Sequence, residues 1–135
     1  MKAKIYLLGL VVACTTFVFT ACKKNEITGG AIGGTATLNI VAQHNARDID
    51  SCWIYIKYNA TEPPLQVGYD DSALAAVKGV SRPIAMFNNL TTGNYYLYAK
   101  GYDPVYQQPA RGGMAFTISN EKEYYINLAM DVYKK

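Results

Sequence analysis

In five runs between residues 36 and 132 the apolar residues recur at every second position, and that period dictates extended chain, not helix. Ala36, Leu38, Ile40 and Ala42 alternate with Thr37, Asn39, Val41 and Gln43. Cys52, Ile54, Ile56 and Tyr58 alternate with Trp53, Tyr55 and Lys57, and Tyr95, Leu97, Ala99 and Gly101 with Tyr96, Tyr98 and Lys100. Met114, Phe116 and Ile118 make a fourth run, and Tyr124, Ile126, Leu128, Met130 and Val132 a fifth. Side chains of a strand point alternately to its two faces, so each run has one apolar side to cover. Weaker strands are expected at residues 65–69 and 84–87. Turn-forming clusters stand between the runs: residues 45–50, Glu62-Pro63-Pro64, Thr91-Thr92-Gly93-Asn94, Asp103-Pro104 and Ser119-Asn120. Only residues 72–78, with Ala75-Ala76, could host a helical turn. About seven short strands punctuated in this way predict an all-β, two-layer sandwich. Leu38, Ile54, Leu97, Phe116 and Leu128 are expected between its layers.

The first residues follow a different pattern. Met1-Lys2-Ala3-Lys4 is basic, residues 5–19 carry no charge, and small residues precede Cys22, which together predict a secretory signal. Phe19-Thr20-Ala21-Cys22 resembles the bacterial lipobox, in which the thiol that follows a small residue receives a diacylglycerol. The resemblance implies cleavage after Ala21 and lipidation of Cys22, although Phe19 replaces the usual Leu, Val or Ile. Two alternatives compete. Residues 5–21 reach the lower limit of about 17 for a bilayer-spanning helix. Val11-Val12-Ala13-Cys14 also looks like a lipobox, but cleavage there leaves an apolar stretch of only about nine residues and leaves Phe17-Val18-Phe19 on the mature chain. Residues 22–34 then read as an acylated Cys with a Gly-rich tether of roughly 20 Å typical span, and residues 35–135 as the folded domain. Lys23 is not the Asp that often retains lipoproteins in an inner membrane, so the expected location is an outer membrane, on either face.

Charge and cysteine narrow the function. Once Lys2 and Lys4 leave with the signal, 11 basic residues face 10 acidic ones, and residues 35–135 carry nine of each. A neutral domain offers no electrostatic footprint for nucleic acid. With Cys14 discarded and Cys22 acylated, Cys52 is left alone, so no internal disulfide can form and the fold must stand on its core.

Phe87-Asn88-Asn89-Leu90-Thr91-Thr92-Gly93-Asn94-Tyr95-Tyr96-Leu97 resembles the F-x-x-L-x-x-G-x-Y-x-L segment of transthyretin-like sandwiches, which include carboxypeptidase regulatory-like and Cna-B-like domains. Residues 50–56 stand where those domains carry a Gly-Ala-x-Val strand opening. Between residues 77 and 85 a Pro83-containing stretch replaces their short Asp-x-x-Gly turn. The resemblance implies a seven-stranded Greek-key sandwich that serves as a binding or structural module. A purine-catabolic hydrolase with several His and a C-terminal Tyr-Arg-Gly-Ser shares that fold, but this chain ends Asp131-Val132-Tyr133-Lys134-Lys135 and has one His.

Few residues invite chemistry. Cys52 reads as core packing, with a thiolate paired to His44 as the alternative that would make a thiol-active enzyme. Asp48, Asp50, Asp70 and Asp71 lie in expected loops without the six to eight oxygens and Gly-containing turn of a calcium site, so no metal or other cofactor is expected. Asp71-Ser72-Ala73 resembles an O-glycosylation consensus of exported bacterial proteins and is placed in a loop. Tyrosine is over-represented, with 12 in the chain. Trp53, Tyr55, Tyr96, Tyr98 and Tyr125 occupy outward positions that could line up as a face for stacking on sugars or anchoring a protein. The functional expectation is a non-catalytic binding or structural module, lipid-anchored at an outer membrane, with a glycan or an envelope protein as partner. An accessory subunit of an envelope assembly is the alternative.

Overall fold

The computed structural model describes residues 29–65, 68–79 and 81–134. The signal segment, Cys22 and the start of the tether lie outside the described residues. Nine strands follow in chain order: β1 (Ile32–His44), β2 (Arg47–Asp48), β3 (Cys52–Tyr58), β4 (Asp71–Ala75), β5 (Ala85–Leu90), β6 (Gly93–Asp103), β7 (Gln108–Ile118), β8 (Glu123–Ala129) and β9 (Asp131–Val132). The described residues contain no helix.

The strands form two sheets packed as a sandwich. In one, β1 is the hub: β2 and β5 pair with it antiparallel, and β8 pairs with it parallel from Thr37↔Glu123 to Gln43↔Ala129. The other is antiparallel throughout, in the order β4-β3-β6-β7-β9. The inward residues of both sheets make one core, in which Leu38, Ile40, Ile54, Ile56, Tyr95, Leu97, Ile118 and Leu128 are fully buried. Burying a Leu or Ile side chain of this kind stabilises a fold by about 1.5–3 kcal/mol. Phe116 packs against that core while remaining partly exposed. Asn39 and Val41, on the opposite face of β1, are buried as well. Both edges of this hub strand are occupied, and the Asn39 side chain donates to Glu123 Oε1 at 2.8 Å.

Three local expectations are corrected. Residues 72–78 hold no helical turn: Asp71–Ala75 is an edge strand whose Ala73 and Ala75 lie opposite Ile54 and Cys52. Gly68 and Tyr69 belong to the loop before β4, not to a strand over residues 65–69. Finally, β1 begins at Ile32, inside the segment read as tether, and residues 29–31 are already docked. The Ala31 amide donates to Thr91 Oγ1 at 3.0 Å, and the Thr91 amide donates to the Ala31 carbonyl at 2.9 Å.

Two tyrosines tie turns to the strands that follow them. The Tyr95 hydroxyl donates to the Thr91 carbonyl at 2.8 Å and lies 3.1 Å from that of Ala31, and the Tyr124 hydroxyl donates to the Asn120 carbonyl at 2.9 Å. In each case ring burial and a satisfied backbone carbonyl come from one side chain.

Candidate functional site

The outer face of the five-stranded sheet is set by strand parity. Because Ile54, Ile56, Leu97 and Ala99 point inward, Trp53, Tyr55 and Lys57 on β3 and Tyr96, Tyr98 and Lys100 on β6 must point outward. Register places Tyr55 opposite Tyr98 and Tyr98 opposite Gly113 on β7. Tyr69, from the loop before β4, lies across this face. Its ring stacks on Tyr98 with centroids 5.7 Å apart and planes 13° from parallel, and it sits 5.5 Å from Tyr55. Tyr55 and Tyr98 are 6.1 Å apart. Burial first, and then the neighbouring Tyr96 and Tyr98 phenols, hold the Tyr69 phenol above its ordinary pKa.

Beside this cluster runs an open groove of about 420 Å³, lined by Pro63, Tyr69, Tyr96, Tyr98, Arg111, Gly112, Gly113, Asp131, Val132 and Tyr133. The Arg111 guanidinium lies over the Tyr133 ring, 4.3 Å from its centroid. Arg111 and Asp131 are opposite one another in the β7–β9 pair. A Cβ at Gly113 would press on the Tyr96 hydroxyl, so the bare backbone here leaves that phenol its place.

Of the five aromatics expected on one face, the structure brings three together: Tyr55, Tyr96 and Tyr98. Trp53 shares their face opposite Lys100 and is 47% exposed, but no ring among the described residues stacks on it. Tyr125 belongs to the other sheet and is 73% exposed. It lines a separate groove of about 400 Å³ with Asn39, Lys78, Arg82, Met86 and Glu123, and its hydroxyl donates to Glu123 at 2.9 Å. Sequence reasoning missed Tyr69, Arg111 and Asp131. Nothing local marks Tyr69, whose position depends on a loop folding back. Arg111 would have been legible had the alternation of β7 been followed upstream of Met114.

The remaining sites resolve separately. Cys52 is fully buried, and a Cβ on Gly101 of β6 would strike its sulfur. Burial, with a smaller contribution from the Asp50 charge, pushes the thiol up to about 11. His44 is committed elsewhere: its Nδ1 lies 2.7 Å from Asp103 Oδ2, and Tyr106 packs edge-on at 4.8 Å. No hydrogen bond joins His44 to Cys52 among the described residues. Asp103 also accepts from Arg47 at 2.7 and 2.8 Å and from the amides of Val105 and Tyr106. Ser72 sits on edge strand β4 instead of in a loop, exposed and opposite Tyr55. Lipidation at Cys22 falls outside the described residues.

The loop carboxylates are engaged by the protein itself. Asp48 receives two bonds from Arg82, Asp70 receives Lys57 and the Tyr58 amide, Asp50 accepts from the amides of Ser51 and Val77, and Asp71 accepts from that of Ser72. The Arg82 hydrogen bond holds Asp48 below the usual carboxylate range against its partial burial. Among the described residues, no three His, Cys, Asp or Glu side chains converge as metal ligands would. Comparison of the chain with protein-family models, with curated proteins and with solved structures finds no match.

Proposed function

We propose that this protein is a non-catalytic module, anchored by lipid on Cys22 to a bacterial outer membrane, that binds glycan on the outward face of its five-stranded sheet. The observation that carries the reading is the Tyr69–Tyr98 stack beside Tyr55, which opens onto a shallow groove. Flat phenol faces with hydroxyl edges suit a pyranose, whose ring presents a C–H face and a hydroxyl rim. The buried, raised Cys52 thiol and the commitment of His44 to Asp103 argue against the thiol-active alternative.

The domain is read as a Greek-key sandwich of the transthyretin-like kind. The Phe87–Leu97 resemblance supports this, and the hydroxyl-to-carbonyl ties of Tyr95 and Tyr124 are of a kind found at corners of Greek-key sandwiches. A second role, as an accessory subunit of an envelope assembly, draws on the exposed Met86 and Tyr125 of the opposite sheet. A saccharide array probed with the mature protein and with Tyr98→Ala tests the binding role. Binding that is lost at least about tenfold in the variant is expected, and an array silent for the unaltered protein would overturn it. Mass spectrometry of the mature chain tests the anchor: a diacylglyceryl group on Cys22 is expected, and an intact leader would overturn it.

A further inference from the structure

We infer that the Tyr69–Tyr98 groove takes an acidic saccharide, with a hexuronic acid ring laid along the phenol faces and its carboxylate held by Arg111. The inference rests on the glycan reading above and adds the charge of the ligand.

The three arginines of the chain are not equivalent. Arg47 is bonded to Asp103 and Arg82 to Asp48, each through short contacts to both carboxylate oxygens. Arg111 has no ion pair and no side-chain hydrogen bond among the described residues. What holds it is the ring of Tyr133. That contact engages the charge through the ring's electrons and spends none of the five N–H donors on the described residues. A planar cation held over a ring, with its donors unspent, matches a carboxylate in charge and in two-pronged geometry.

The phenols around it are uncommitted in the same way. The hydroxyls of Tyr55, Tyr69, Tyr96, Tyr98 and Tyr133 make no hydrogen bond to the described residues. Elsewhere in the fold Tyr95, Tyr124 and Tyr125 spend theirs on carbonyls or on Glu123. Polar edges left free around apolar ring faces fit a ligand that is itself apolar on its faces and hydroxylated at its rim. Gly113 keeps the floor low, and the groove volume falls within the roughly 300–1,000 Å³ of small-ligand clefts. Asp131, opposite Arg111, makes no ion pair with it among the described residues and is placed to accept from a sugar hydroxyl. An acidic peptide would also meet Arg111, but it would leave the row of phenol hydroxyls without partners.

The test is calorimetric titration of the full lipidated protein in detergent micelles. The probes are hexuronic acid oligosaccharides, their methyl esters, neutral oligosaccharides and an oligoglutamate peptide. The methyl ester keeps the ring and removes the charge. The acid is expected to bind about tenfold or more tightly than its ester, and Arg111→Gln is expected to erase that difference while retaining weak binding of both. Equal affinity for acid and ester overturns the inference and leaves the glycan reading standing. Oligoglutamate binding as tight as that of the uronic acids overturns the saccharide assignment. No binding of any saccharide, acidic or neutral, overturns both. The acid–ester comparison uses the unaltered protein and so does not depend on how any variant folds.

Discussion

At Asp103 the cost of burying a charge is offset by four donors: His44, Arg47 and the amides of Val105 and Tyr106. Burial alone would raise the pKa of this carboxyl. The His44 bond, the two amides and the Arg47 charge outweigh it and hold the value down at about 2, below the ordinary 3.8. A carboxyl lowered in the folded state favours folding whenever the unfolded chain would also be ionised, and that contribution drains away as acid protonates it. The stability from Asp103 is therefore fully present above about pH 3.8 and is lost as the pH falls through about 2. Urea midpoints measured across that window should fall, and Asp103→Asn should both lower the midpoint at neutral pH and flatten the acid limb. An acid limb unchanged in the variant would refute this assignment. None of this was legible in the sequence, where His44 had only Cys52 as a conceivable partner. Residues 44 and 103 meet because each ends a strand, β1 in one sheet and β6 in the other, and only the packing of the two sheets brings those ends together.

At the scale of elements, parity was readable and continuity was not. The inward residues of β1, β3, β6 and β8 stand where alternation put them, because a buried face enforces period two. The strand at Asp71–Ala75 escaped notice because its alternating residues are alanines, which signal helix as readily as strand. The early part of β7 escaped because Gly112 and Gly113 carry no side chain to mark the period that continues through them, and with it went the cation of the groove. The start of β1 was hidden for a similar reason, since glycines read as a linker where here they permit close approach. Gly93, at φ +145°, lies so near the Gly30 backbone that a Cβ would overlap it. Gly93→Ala combines that overlap with a backbone angle L-residues avoid, and should cost about 2 kcal/mol or more. Hydrogen exchange offers the check: the Ala31 and Thr91 amides should lose protection in the variant well before the amides of β3 and β6.

For the whole molecule, the single thiol reports on the integrity of the sandwich. Cys52, on β3, points into the core between the sheets beside Gly101 of β6, so a reagent reaches it only when the sheets part. For a domain of ordinary stability the open fraction is small, and alkylation of Cys52 should be at least about a thousandfold slower in buffer than in urea. Peptide mass spectrometry can read that ratio, and a comparable rate in buffer would mean that the core is not closed. The two-layer architecture was legible in the sequence at this scale, as was the shared side of Tyr55, Tyr96 and Tyr98. The assignment of Tyr125 to the same side was not, because strand parity tells which face a residue takes within one sheet and not which sheet owns the strand.

The placement of β1 bears on how the domain would carry load. Ala31, just before its first residue, is pinned by Thr91 and Tyr95, and its length is laced to β5 on one edge and to β8, running the same way, on the other. Traction applied at residue 29 along the strand would load those ladders side by side in shear, so they would have to yield together instead of unzipping in turn. Pulled from that end, the domain would keep its shape until both ladders gave way at once.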